Sequence, residues 1–325
     1  MGKLRDFLPA LMYGNRIYPE DLAGMIGLPY VGSVFYIDPT NGNDTTNGGK
    51  SQNDALKTLR TAEDKTTDNK HDVIILVPAE VASGSGTAET ALITWDKDNT
   101  HLVGSCAPVL LSHRARILWD TDSVDPCFTI SGQGNTFKNV QIATFKDSND
   151  VLINLTGQRN SFLNCHIAAM GTATAGDDAT GRCIDIVGGS ENYFGHCYIG
   201  LDTIMRSAAN AEIEFRSGAT RNVFEDCYIM SIADSATHLW VKAASSGGID
   251  RFVVFKDTLF YNAIGSTGTT MTVGMDLHAS VGGLVLLTGT TMMVGATDWA
   301  DDFTNVYTGG VVPTAATSGL MIAAA

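Results

Sequence analysis

The feature that most constrains this chain is an internal repeat. Four segments align without gaps: Asn135-Thr-Phe137-Lys-Asn139-Val140-Gln-Ile142, Asn160-Ser-Phe162-Leu-Asn164-Cys165-His-Ile167, Asn192-Tyr-Phe194-Gly-His196-Cys197-Tyr-Ile199 and Asn222-Val-Phe224-Glu-Asp226-Cys227-Tyr-Ile229. Two degraded copies follow, Val253 to Phe260 and Val285 to Met292. Successive starts lie 25, 32, 30, 31 and 32 residues apart. At that period each unit buries its apolar face only on its neighbours, so the chain must stack as a solenoid.

Within each unit, alternate residues ahead of the Asn are apolar: Phe128 and Ile130, Ile153 and Leu155, Ile184 and Ile186, Ile213 and Phe215. A period of two means strand. A glycine-bearing turn (Gly132, Gly157, Gly188-Gly189, Gly218) separates this strand from the motif. Inside the motif the apolar parity breaks between Phe and Cys, at Asn139, Asn164, His196, Asp226 or Asp257. Asn, Asp and His are the non-glycine residues enriched in left-handed backbone, so the chain is expected to turn a corner there. Strand, turn, strand, corner and strand make one coil of an all-β parallel helix, with Phe, Cys and Ile stacked inward in columns. The longer intervals fall between the motif's Ile and the next strand, at 143–150, 168–182, 200–211, 230–238 and 261–273. Loops therefore gather on one side, the first place to look for function.

Upstream, Val34-Phe-Tyr-Ile-Asp38-Pro-Thr-Asn41-Gly-Asn-Asp44 leads to Ala55-Leu-Lys57-Thr58-Leu59, then to Asp72-Val-Ile-Ile-Leu-Val-Pro78 and Asn99-Thr-His-Leu-Val-Gly104. This run resembles the amino-terminal entry of right-handed parallel β-helix repeat proteins, the pectin-lyase-like group. There a Y-V-D-P-x-N-G-x-D, A-x-x-T-L, D-x-I-x-V-x-P-G and N-x-T-L-x-G series opens the helix; here Ala79 replaces the Gly after Pro78. The resemblance covers residues 34 to about 292. It implies the fold and no single activity, because that fold hosts lyases, hydrolases, phage spikes and inert structural parts. The expected organisation is an extended N-terminal docking arm over 1–33, a right-handed parallel β-helix over 34–295, and a C-terminal tail or interface segment over 296–325. About seven coils at about 4.8 Å each predict a squat body about 35 Å tall.

Composition narrows the partners. Apolar residues make up 44% of the 325 and charged ones 17%, too apolar for a disordered chain. The net charge of −14 argues against nucleic acid, which needs a cationic surface to displace its counterions. No stretch reaches the apolar length of a membrane span, and the first residues lack the apolar core and cleavage site of an export signal. Asp6 occupies the position where a myristoylation signal has Ser or Thr. The arm instead carries Leu4, Phe7, Leu8, Leu11, Met12 and Ile17, candidates for an assembly interface. From Asp257 onward, 69 residues contain no Lys, Arg or Glu and only five Asp. A surface so uncharged is expected to be covered.

Chemistry-bearing residues read mostly as scaffold. Cys165, Cys197 and Cys227 stack inward and behave as small hydrophobes, not metal ligands, and the corner ladder has a geometric explanation. The Asp38–Asp44 loop lacks calcium-loop spacing, since Thr40 and Gly42 occupy ligand positions, and reads as turn chemistry. Acid–base sugar chemistry would need two carboxylates facing one cleft. Asp177-Asp178 with Asp202 on the loop side, and Glu225 with Asp226, are candidates, with no Lys or Arg seen at repeat-equivalent positions beside them. No catalytic, cofactor or metal-binding residue is expected. The outward position between Cys and Ile reads Gln141, His166, Tyr198, Tyr228 and Leu259 in successive coils. Of these, His166, Tyr198 and Tyr228 could contact another subunit or bind a sugar chain, since Tyr suits both.

The apolar arm, the 69 last residues without cationic charge and the missing catalytic cluster point to a non-enzymatic virion component of a tailed phage, a capsid decoration protein or short head or tail fibre, in a form that resembles phage β-helix proteins. It would be assembled in the host bacterial cytoplasm as a homotrimer and partnered by virion proteins such as the major capsid protein. The rival expectation is a tailspike-like polysaccharide lyase or hydrolase acting on host surface glycan.

Overall fold

The computed structural model describes residues 31–79, 85–263 and 268–308, and the backbone of 321–322. Every strand pairing in it is parallel, and the strands form three sheets of ten, eight and eight. The first sheet runs from Val34–Ile37 through the motif's Phe strands, such as Tyr193–Gly195, to Val306–Thr308. After the corner the chain enters the second sheet, which begins at Arg116–Trp119 and includes Tyr198–Arg206. The third sheet holds the strands ahead of each Asn, from Ile93–Trp95 to Ala296–Ala300. This is the expected all-β, right-handed parallel β-helix.

The register is the one the repeat predicts up to Phe260; in the last copy it slips by one residue after the corner, so that Met293, not Met292, takes the inward place below Phe260. Phe137, Phe162, Phe194, Phe224 and Phe255 are direct partners on successive strands. The first four rings stack at centroid spacings of 4.8, 4.6 and 4.5 Å, and all are fully buried. The corner residues Asn139, Asn164, His196, Asp226 and Asp257 have φ of +58°, +51°, +53°, +52° and +50°. The Cys column has a polar reason as well as an apolar one. The Sγ of Cys165, Cys197 and Cys227 donates at 3.3 Å to the carbonyls of Phe137, Phe162 and Phe194, one coil back. Thr258 and Thr291 do the same with their hydroxyls, to Phe224 and Phe255. The position thus wants a small donor, and Thr replaces Cys without loss of that bond.

The motif's Asn forms a second ladder. The backbone N–H groups of Asn135, Asn160 and Asn192 donate to the side-chain oxygens of Asn160, Asn192 and Asn222 at 3.0, 3.0 and 3.1 Å. The amide nitrogens of Asn160, Asn192 and Asn222 close the glycine turns by donating to Gly132, Gly157 and Gly189. Buried amides satisfied on both sides specify one register. At the entry, Asp38 accepts from the N–H groups of Thr40 and Asn41, so this loop is a turn. Asp44 accepts from the N–H of Lys57 and from the N–H and hydroxyl of Thr58. Thr58 in turn caps the helix Leu59–Lys65.

Two expectations on extent need correction. Ten strands in the first sheet, not about seven coils, give a body about 43 Å tall at about 4.8 Å per strand. The extra coils lack the Asn-x-Phe signature, so motif counting missed them. The solenoid also passes residue 295, since Ala296–Ala300, Val306–Thr308 and 321–322 all pair in register with earlier strands. On the loop side, wholly buried Arg206 donates to Glu212 Oε1 at 3.2 Å and to the Met170 carbonyl at 2.8 Å. Cys183 donates to Glu212 Oε2 at 2.9 Å, and burial raises both its thiol and the Glu212 carboxyl. This cluster ties the 168–182 loop to the next coil and has no opening to solvent.

Candidate functional site

The corner between the first and second sheets forms one wall of a groove of about 610 Å³. Left-handed backbone there turns His196, Asp226 and Asp257 outward, one per coil, beside Asn164. His196 Nδ1 lies 3.7 Å from Asp226 Oδ2. Asp257 Oδ1 accepts from the N–H and the hydroxyl of Thr290 at 2.7 and 3.0 Å, which holds its carboxyl below the usual range. The floor is the outer face of the second sheet, with Tyr228, Leu259 and Met292 in register. The roof is Pro108–Leu110, part of a strap that leaves the first sheet after Gly104 and crosses the second.

The strap corrects one expectation. His166 and Tyr198, expected on an open outer face, are 2% exposed, whereas Tyr228 is 36% exposed. The Ser112 N–H donates to His166 Nδ1 at 3.1 Å, and His166 Nε2 lies 3.2 Å from the Gly200 carbonyl. His113 is held beside Asn164, with Nε2 3.2 Å from its Nδ2. His166 and Tyr198 are therefore closed to a glycan or a partner, and Tyr228 alone of the three stays available. No sequence pattern announces the strap, because it is an insertion without a repeat. Leu4, Phe7, Leu8, Leu11, Met12 and Ile17 lie outside the described residues.

The candidate acids do not converge. Asp178 accepts from Thr180, and Asp177 ends the short helix Ala173–Gly176, on the loop side. Glu225 faces outward on the first sheet, where Lys256 Nζ donates to it at 2.6 Å and Tyr193 Oη at 3.1 Å. Lys256 holds the equivalent position one coil on, so a cation does accompany Glu225.

A charged column on the third sheet escaped the sequence reading. Asn154, Asp185, Glu214, Lys242 and Asp276 are register partners on its outer face. Arg216 binds buried Asp185 through two nitrogens, and Arg182 Nε donates to Glu214 at 2.6 Å. Burial and then the Asp301 charge raise the Asp276 carboxyl. These residues alternate with the inward Ile and Leu of the same strands, so the period-two pattern that placed the core had placed them outside. Both arginines are spent on tying adjacent coils. Among the described residues no group of His, Cys, Asp and Glu gathers as metal ligands, and no helix is long and apolar enough to cross a membrane.

No protein-family model matches this chain, and no curated protein is similar to it in sequence. Solved structures do match. Pectate lyase Pel9A aligns over 86% of this chain and 68% of its own, at 16% identity and TM-score 0.56. A pectin methylesterase variant in complex with a hexasaccharide aligns over 90% and 93%, at 13% identity and TM-score 0.50. ORF18 of Geobacillus virus E2 aligns over 89% and 62%, at 11% identity and TM-score 0.39, a level that lends weight to no reading. The chain thus has the parallel β-helix fold of the pectin-lyase-like proteins. That likeness is one of fold.

Proposed function

We propose that this chain is a non-enzymatic structural protein of a phage virion, a capsid decoration protein or short head or tail fibre. In this reading it assembles as a homotrimer and docks through residues 1–33 onto virion proteins such as the major capsid protein. The observation that carries the reading is the distribution of exposed apolar side chains. Tyr228, Tyr261, Leu284 and Met292, all 36–37% exposed, lie on outer faces of the late coils. Val109, Leu110 and Leu111 on the strap are 39–42% exposed. Tyr228, Tyr261 and Met292 share the outer face of the second sheet, and apolar side chains exposed together mark an interface. The charged outer positions favour the same reading, since Arg182, Arg216 and Lys256 are paired to carboxylates across coils and are not left free for a substrate.

The groove with His196, Asp226 and Asp257 favours a second reading, a polysaccharide lyase or hydrolase acting on host surface glycan. Incubation of the purified protein with host polysaccharide separates the two. New reducing ends or unsaturated uronate absorbance would establish the enzyme and overturn the structural role. Unchanged polysaccharide, together with the protein appearing in purified particles, is the outcome expected here.

A further inference from the structure

We infer that residues 18–30 of this chain lie over the outer face of its own first three first-sheet strands, which leaves the distal part of the arm, residues 1–17, to meet a partner. Several side chains outside the coil are closed to water there. On Val34–Ile37, Val73–Leu76 and His101–Gly104, the inward residues Phe35, Ile74 and Leu102 continue the Phe137 column, so Val34, Tyr36, Val73, Ile75, His101 and Val103 point outward. Of these, Val73 is 0%, His101 1%, Ile75 2% and Val103 3% exposed. Column neighbours alone do not close a valine on this face. Val223 stands between Tyr193 and Val254, and Val254 between Val223 and Leu286, and both stay half-buried. The early coils therefore carry a further cover that the later coils lack.

The cover belongs to the same copy, because the closure is reached within a single chain. Among the described residues, the apolar side chains packed against Val73, Ile75 and Val103 are Val34 and Tyr36, in their own columns, and Val31, at the base of the arm. The arm thus joins the coils at this face. Its base is pinned there, since the Gly32 N–H donates to the His71 carbonyl at 2.9 Å and the Ser33 N–H to Asp72 Oδ1 at 2.6 Å. A Cβ at Gly32 would collide with the Lys70 carbonyl, so this close approach needs glycine. The sequence next to Val31 supplies a matching surface. Pro19, Glu20 and Asp21 are start signals of a helix. Tyr18, Leu22, Met25 and Ile26 then fall at i, i+4, i+7 and i+8, one apolar face, with Glu20, Gly24 and Gly27 on another. Residues 19–28 as a helix span about 15 Å, which matches a patch three strands wide at about 4.8 Å per strand. The cover needs no second chain and so stands apart from the assembly reading; under that reading it narrows the docking residues to Leu4, Phe7, Leu8, Leu11, Met12 and Ile17.

The test uses the full chain. A photo-crosslinking phenylalanine replaces Leu22 in a mixture of light and heavy isotope-labelled copies. Trypsin then leaves Leu22 in the peptide 17–50 and the covered residues in 71–97 and 98–114. The expected products join 17–50 to 71–97 or 98–114, with both peptides from one copy. Products of mixed mass, links to later coils, or no links at all would overturn the inference. Independently, Met25→Asp together with Ile26→Asp should free the segment, and thermolysin should then cut within 18–30 about tenfold faster than in the wild type. A hydrophobic dye should bind more strongly as Val73, Ile75 and Val103 open to water, while circular dichroism shows the coils intact. Equal cleavage of wild type and variant, with no gain in dye binding, would also overturn it. Incorporation into particles reads the assembly separately: missing crosslinks with normal incorporation sink the cover and spare the assembly reading, and the expected crosslinks without incorporation do the reverse.

Discussion

Acid should loosen the strap, and the size of the effect follows from two histidines. His113 and His166 are each lowered to about 4 from an ordinary value of 6.5. Burial is the main cause for both; for His113 the next is the Arg116 charge, and for His166 the His113 and Arg116 charges add to it against the Gly200 hydrogen bond. Geometry agrees, because His166 Nδ1 accepts the Ser112 N–H and His113 Nε2 faces the donor nitrogen of Asn164. A proton on either acceptor turns attraction into donor against donor. The unfolded chain binds these protons first, so the stability they contribute is complete above pH 6.5 and lost as pH falls towards 4. At pH 5 the loss is about 2 kcal/mol per histidine. Carboxyls raised by burial, such as Glu63, Glu89 and Glu212, act in the opposite sense, and a comparison with a variant cancels them. In His166→Gln the side-chain oxygen can accept the Ser112 N–H without titrating. Between pH 7.5 and 5.0 the wild-type melting temperature should fall about 3 °C further than the variant's. Parallel profiles for the two proteins would refute the reasoning.

Three further outcomes are expected. Phe194→Ala removes the centre of the ring column and should cost about 3 to 5 kcal/mol, read by denaturant unfolding; an unchanged midpoint would contradict its burial. Arg206→Ala leaves the Glu212 carboxylate buried without its cation, and the loss should be about 3 to 5 kcal/mol, or failure to fold. Thiol titration of the denatured, unreduced protein should return all six cysteines, because Cys165, Cys197 and Cys227 point the same way from adjacent parallel strands and each already donates to a carbonyl.

The core was legible because burial forces identical chemistry at identical positions. Phe194 can only stack on Phe162 and Phe224 if the coils share a register, so one column read from sequence fixed the rest. The corner was legible because left-handed backbone restricts residue type, and His196 satisfies it as Asn164 does. What escaped obeys no repeat. The strap is a single insertion whose partners, His166 and Asn164, lie more than fifty residues along the chain. The Asp185–Arg216 and Glu214–Arg182 ties escaped for a different reason, that outward positions tolerate any polar residue and their pairing needs the register first.

The outer column of the second sheet shows how far the outward positions of a repeat fold diverge while the inward ones stay fixed. Its inward neighbours, Ile142, Ile167, Ile199 and Ile229, hold one residue type over four coils, because the core leaves no choice. Its outward members change steadily, from Gln141 and His166 through Tyr198 and Tyr228 to Leu259 and Met292. If solvent alone faced this column, its open end should be the polar end. The order is reversed, with the polar members buried at the strapped end and the apolar ones at the bare end. Buried His166 is tolerable because the strap supplies it with a hydrogen-bonding partner, the Ser112 N–H. Half-buried Leu259 and exposed Met292 make physical sense once another surface removes them from water. One kind of cover on this face is built into the chain; under the proposed function, the second would be supplied on assembly.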